Sequence, residues 1–186
     1  MIRLSHVTAG YPEKQVFRDL SLALPDRGAV ALMAPSGFGK TTFLRLLAGL
    51  IRPDSGDIAG LGNKKTAVLF QEDRLLPWLT AEKNVEIVCD DQAKAKYWLE
   101  QMEIAEVGAY PAALSGGMQR RVALARCMAF GGDVLLLDEP FKGLDEALRA
   151  RIAGRIKGQA PLILLAVHDE EEAALMNAEI IHLDRI

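Results

Sequence analysis

Apolar residues recur along this chain with two periods, and the changes of period predict its elements. Ile2–Val7 and Leu20–Leu24 alternate apolar with polar positions, the pattern of half-buried strands. Three runs are apolar throughout: Ala29–Ala34, Val134–Leu137 and Leu162–Val167. Each is too short for a helix and stops at a turn or polar group, which predicts strands covered on both faces. Thr66–Phe70 and Ile180–Leu183 read as further strands. Helical spacing appears in Phe43, Leu44, Leu47 and Leu50, before Pro53 and Gly56 break it. It returns across 80–102, with Thr80 as N-cap and Glu82 and Lys83 in the first turn. Val122, Ala125, Arg126 and Ala129 share a face after Ser115-Gly116-Gly117; Leu148, Ile152 and Ile156 mark a helix, and 169–176 another. Buried strands alternating with helices predict an α/β fold with a mainly parallel sheet flanked by helices. Ligands bind such sheets at the carboxyl ends of the strands. There Ser36 onward, Asp138-Glu139 and His168 follow three of the apolar runs.

Composition narrows the class without naming a chemistry. The 186 residues suit a single domain and are half hydrophobic and a quarter charged. No apolar run approaches the ~18–20 residues of a membrane span, and residues 1–6 lack the apolar core of a signal peptide. Cys89 and Cys127 lie in unrelated contexts without metal-ligand spacing, which points to a reducing cytosol rather than a disulfide framework. With 22 Lys+Arg against 25 Asp+Glu, the net charge of −3 gives no bulk attraction to nucleic acid.

Three constellations carry chemistry. Ala34-Pro35-Ser36-Gly37-Phe38-Gly39-Lys40-Thr41-Thr42 lies between a buried strand and a helix. A phosphate-binding loop needs glycines so that backbone N–H groups can face oxygens, a Lys for the β/γ-phosphates and a Ser/Thr hydroxyl for Mg²⁺. Ala34 stands where the pattern G-x-x-x-x-G-K-[ST] has its first glycine; at a strand end its Cβ is tolerated if φ is negative. Val134–Leu137 then delivers Asp138 and Glu139, which by strand alternation point to opposite sides. Asp138 suits the Mg²⁺ shell and Glu139 the attacking water. Leu114-Ser115-Gly116-Gly117-Met118-Gln119-Arg120-Arg121 joins an N-capping serine to two glycines that allow close approach of an anion.

Ser-Gly-Gly-x-Gln about twenty residues before the Asp-Glu strand closely resembles the signature of the ATP-binding cassette (ABC) ATPases. The resemblance runs from Tyr11 to His168. It implies a P-loop NTPase core with a mainly parallel sheet, an N-terminal antiparallel β part and a short helical subdomain. Residues 1–70 and 115–186 would form the core and 71–114 the subdomain, in one ABC ATPase domain. Gln71 matches the glutamine that touches Mg²⁺ or water, so that Thr41, Gln71 and Asp138 form the metal set. His168 matches the histidine on the γ-phosphate, and Tyr11 the aromatic that stacks on adenine. Gly143-Leu144-Asp145 resembles the loop that crosses the dimer interface, although Lys142 departs from the small residue common there.

The implied cofactors are ATP and Mg²⁺. The implied assembly is a head-to-tail pair, a homodimer or a heterodimer with a related ATPase, in which Ser115, Gly116, Gly117 and Gln119 meet the ATP of the partner chain. Glu139 is the implied base. The implied location is cytoplasmic, peripheral on the inner face of the cell membrane, bound to integral membrane permease subunits on separate chains. Arg74-Leu75-Leu76-Pro77-Trp78-Leu79-Thr80 also resembles the nitrate/sulfonate/taurine-type importers. Its apolar residues fit either a contact with membrane partners or a satellite core beneath the helical subdomain. The stretch between Gln71 and Ser115 is short for the family, and the stretch after His168 leaves no room for an added regulatory domain. A non-transport ABC ATPase is the alternative, although neither heptads nor spare cysteines favour it. A nucleotide-binding regulatory subunit without turnover is a third reading, opposed by the intact Lys40, Asp138, Glu139 and His168.

Overall fold

The fully apolar runs become the centre of a parallel sheet. A computed structural model describes residues 1–183; residues 184–186, the end of the expected core unit, lie outside the described residues. The sheet has the order β5-β6-β7-β3-β8, formed by β5 (Thr66–Leu69), β6 (Val134–Asp138), β7 (Leu162–Ala166), β3 (Gly28–Met33) and β8 (Glu179–His182). Leu136 and Val30 both register against Leu164, so the three longest apolar runs lie side by side.

Strand alternation then sorts the core into two layers. Leu135, Leu137, Ile163 and Leu165 face a cluster with Leu99, Val122, Leu124, Ile152 and Ile156. These come from α3 (Gln92–Gln101), α4 (Gly116–Phe130) and α5 (Glu146–Ile156). Leu136, Leu164, Val30 and Leu32 face the opposite cluster, which contains Phe43, Leu44 and Leu47 of α1 (Lys40–Leu47). That side is closed by an antiparallel sheet of order β2-β1-β4, from β1 (Ile2–Tyr11), β2 (Lys14–Leu24) and β4 (Ser55–Ala59). The short helices α2 (Ala81–Glu86) and α6 (Glu170–Leu175) and a 3-10 turn at Pro111–Ala113 complete the elements described.

The antiparallel part departs most from the sequence pattern. β1 and β2 run longer than Ile2–Val7 and Leu20–Leu24, because their register shifts between Leu4 and Val7 and again before Gly10. His6 and Asp19 have positive φ at these irregularities, and bulges of this kind break a period of two. β4 escapes the pattern because only Ile58 of its five residues is even partly buried. The stretch 80–102, expected to be mostly helical, holds two helices. Asp90 has φ 50 and Asp91 caps α3, its Oδ1 accepting from the Lys94 N–H at 3.0 Å.

Candidate functional site

The loop between β3 and α1 is built for an anion. Gly39 is the N-cap of α1 with φ 117 and offers no side-chain cap, so the first amides of the helix are left for a ligand. A Cβ there would lie 2.4 Å from Val16 Cγ1, so only glycine fits. Ala34 is outside the left-handed region and packs against the apolar cluster of α1, which explains why its methyl group is accommodated. Lys40 is buried and turns back into the loop, its Nζ donating to the Ala34 carbonyl at 2.5 Å.

The carboxyl ends of β5, β6 and β7 bring the other groups to this loop. Pro35, Ser36, Gly37, Gly39, Lys40, Thr41, Thr42, Gln71, Asp138, Glu139 and His168 line one cleft of ≈ 240 Å³. That is below the ~300–1,000 Å³ of pockets that enclose a whole small-molecule ligand. It suits a phosphate chain with the base outside. Asp138 is 4% exposed, and its carboxyl is pushed above the ordinary range by burial, with the Thr41 hydroxyl opposing the shift and the Glu139 charge adding to it.

Glu139 corrects the expectation from alternation. It leaves the strand with φ 50, so its side chain enters the same cleft as that of Asp138 instead of pointing away. Its Oε1 accepts from Gln71 Nε2 at 3.4 Å and lies 3.0 Å from His168 Nε2, and Lys142 Nζ lies 3.5 Å from Oε2. Three residues from three loops thus converge on one carboxylate.

Thr41 hydroxyl, Asp138 carboxylate and the Gln71 amide oxygen form a set of hard oxygen donors beside the phosphate loop. Among the described residues no cation lies within ion-pair distance of the buried Asp138 carboxylate. Such a set fits Mg²⁺, which keeps several waters and takes the remaining oxygens from substrate phosphates.

The other expected residues lie outside the cleft. Ser115 caps α4, its Oγ accepting from the Met118 N–H at 3.3 Å. Gly116 is exposed, and a Cβ on Gly117 would meet the Gly143 carbonyl at 2.9 Å, so the signature turn packs directly on the Gly143-Leu144-Asp145 loop. Asp145 caps α5 through the Leu148 N–H at 2.9 Å. Gln119 turns inward, its Nε2 donating to Pro111 and Leu114 carbonyls at 3.0 Å each. Tyr11 stands at the end of β1, exposed, with its hydroxyl accepting from Arg45 Nη1 at 3.0 Å. Phe38 is an exposed loop residue. Leu75 joins the main apolar cluster whereas Trp78 is 68% exposed, so the apolar patch is buried in part and open in part.

Two polar residues without an assigned role in the sequence organise these loops. Asn84 is fully buried. Its side chain accepts from the Leu76 N–H at 2.7 Å and donates to the carbonyls of Leu76, Leu79 and Thr80. Arg120 is 2% exposed and reaches the ends of β5 and β6. A polar residue on the apolar face of a helix is the only sequence signal of either.

Fold and cleft together define a P-loop nucleotide-binding α/β protein. Residues 17–142 match the family described as "ABC transporter". The aliphatic sulfonates import ATP-binding protein SsuB of Delftia acidovorans is 38% identical over 98% of this chain and 79% of its own length. A second such protein, from Pseudomonas syringae pv. syringae (strain B728a), is 40% identical over 98% of this chain and 69% of its own. The ATP-binding cassette MJ0796, in a dimeric post-hydrolysis state bound to ADP and Pi, superposes with TM-score 0.87 at 25% identity over 98% of this chain and 94% of that one. The chain belongs to the ABC transporter family, as one of its ATP-hydrolysing subunits. No helix among the described residues is long and apolar enough to cross a membrane.

Proposed function

We propose that this chain powers an importer whose membrane-spanning subunits are separate chains, and that it works as a head-to-tail pair. The division of its motifs carries this reading. Lys40, Thr41, Gln71, Asp138, Glu139 and His168 share one cleft, while Ser115, Gly116 and Gly117 open α4 outside it. Amides at the start of a 15-residue helix suit a γ-phosphate presented by a second copy or a related ATPase. The Gly143–Asp145 loop packed on Gly117 belongs to the same interface.

ATP then lies with its phosphates on the 35–41 loop and its adenine on the exposed Tyr11 ring. Lys40 exchanges the Ala34 carbonyl for phosphate oxygens. Thr41, Gln71 and Asp138 would hold Mg²⁺, which when bound neutralises charge on the β- and γ-phosphates. Glu139 orients a water and takes its proton while the water oxygen bonds to the γ-phosphorus and the bond to the ADP oxygen breaks. His168 and Gln71 fix the Glu139 carboxylate beforehand, and His168 turns to the γ-phosphate as the pair closes. Residues 71–114 form the helical subdomain that transmits closure.

Trp78 on the loop held by Asn84 supports docking of membrane partners there, with the chain held on the inner face of the membrane through them. The names of the two relatives support small organic anions as the cargo class, although the cargo does not touch this subunit.

Lys40→Ala tests the phosphate loop: affinity for a fluorescent ATP analogue should fall by on the order of 10²-fold, the scale of two to three kcal/mol of lost phosphate contacts. Unchanged affinity contradicts the loop assignment. Recovery of the chain from detergent extracts with an integral membrane protein is expected. Recovery only with water-soluble proteins favours a non-transport ABC ATPase.

A further inference from the structure

The signature helix and the hydrolytic cleft are joined by one buried cation. Arg120 sits in the second turn of α4, five residues after Ser115, and is 2% exposed. Its Nε and Nη2 both donate to the Glu139 carbonyl, at 3.1 and 2.9 Å, and Nη2 also donates to the Asp138 carbonyl. Nη1 donates to the Phe70 carbonyl at 2.6 Å and to Asp73 Oδ1 at 2.8 Å. One guanidinium therefore ties together the end of β5, the end of β6 and the start of the helix that carries Ser115-Gly116-Gly117.

These contacts have a physical reason. Where parallel strands stop, their last carbonyls lose ladder partners, and a buried carbonyl left unpaired is costly. The planar fork of arginine can serve several carbonyls at once; the point charge of lysine cannot. The second effect is local. Glu139 holds φ 50, unusual for a residue with a side chain, and its carbonyl takes two of the six donor contacts, another going to the Gln71 carbonyl at 3.5 Å. Arg126, further along α4, donates to the Asp73 and Arg74 carbonyls at 2.7 and 2.9 Å, so the segment after Gln71 is pinned to the same helix.

We infer that Arg120 is a positioning residue that holds Glu139 in its left-handed turn and registers it, with Gln71, against the signature helix. The inference rests on the proposed function, since it gives nucleotide capture at Ser115–Gly117 a route to the base. Docking of a γ-phosphate on the start of α4 moves the helix, and the guanidinium carries that movement to the carboxylate that orients water. Without the fork, α4 still binds the nucleotide of the partner, but Glu139 is free to leave the cleft.

The test compares Arg120→Gln and Arg120→Lys with wild type in steady-state ATPase assays, thermal melts and ATP-dependent dimerisation in the Glu139→Gln background. A misplaced base costs on the order of 10²-fold in kcat. We expect that loss in both variants, with KM for ATP within about threefold and dimerisation retained, because only the chemical step is disturbed. Lysine keeps the charge and part of the bonding, so Arg120→Lys should melt above Arg120→Gln without regaining kcat. If kcat tracks thermal stability across the two variants, or if Arg120→Lys, the variant most able to fold, hydrolyses ATP within about threefold of wild type, the inference is wrong. Wild-type turnover by Glu139→Gln alone would instead remove the function on which the inference rests.

Discussion

Asp138 shows what the site costs at the scale of one residue. Its carboxyl is buried at the end of β6 and its pKa is raised above the ordinary 3.8, chiefly by desolvation. A carboxyl that binds its proton more tightly when folded makes the fold less stable as pH rises through the interval from 3.8 to its raised value. Asp138→Asn removes this penalty along with a proposed magnesium ligand. The variant should lose ATPase activity and melt higher at pH 7 to 8, with about 2–4 °C gained per kcal/mol for a chain of this size. The gain should fade as pH falls toward 3.8. A lower melting temperature at pH 8 would show that Asp138 is held by compensating contacts. Cys127 gives the contrasting case: burial pushes its thiol up to about 12, and both cysteines are free, as their spacing suggested.

Much of this was legible one residue at a time. Lys40, Thr41, Asp138 and His168 follow apolar runs whose burial could be read from composition alone, and the parallel sheet brings such run ends together. Glu139 was legible as a residue but not as a direction, because a single positive φ overturns alternation and leaves no compositional trace.

At the scale of elements, the helices act as clamps on loops. α2 carries Asn84, whose four hydrogen bonds shape the turn from Leu76 to Thr80 and present Trp78 to solvent. Arg121 on α4 donates to the Met102 and Glu103 carbonyls at 2.8 and 2.6 Å, closing the C-terminal end of α3. Glu103, whose carboxyl is held below the ordinary range mainly by Arg151, links that end to α5. Asn84→Ala should cost about 2–3 kcal/mol, since it strands buried backbone groups. Basal ATPase activity should persist while stimulation by the membrane partners is lost. A variant with normal stability would show that water replaces the amide. The arginine clamps were illegible because they join residues far apart in sequence, and single buried Arg and Asn residues leave no signal beyond a polar position on the apolar face of a helix. The two-helix break at Ile87–Asp91 was missed for a related reason: Asp91 is a strong cap, but helical spacing continues on both sides of it.

At the scale of the whole molecule, the proposed function requires two halves of a site that the chain keeps apart. The cleft is too small to enclose a nucleotide, and the signature turn does not line it but packs on the loop that ends at Asp145. A second copy related by a two-fold axis would bring one half to the other, and an isologous pair makes two equal sites at once. Sedimentation of Glu139→Gln with and without ATP and Mg²⁺ tests this most directly. A monomer is expected without nucleotide and a stable dimer with ATP, lost again when Lys40→Ala is added. A Glu139→Gln chain that binds ATP yet stays monomeric at every concentration would contradict that expectation.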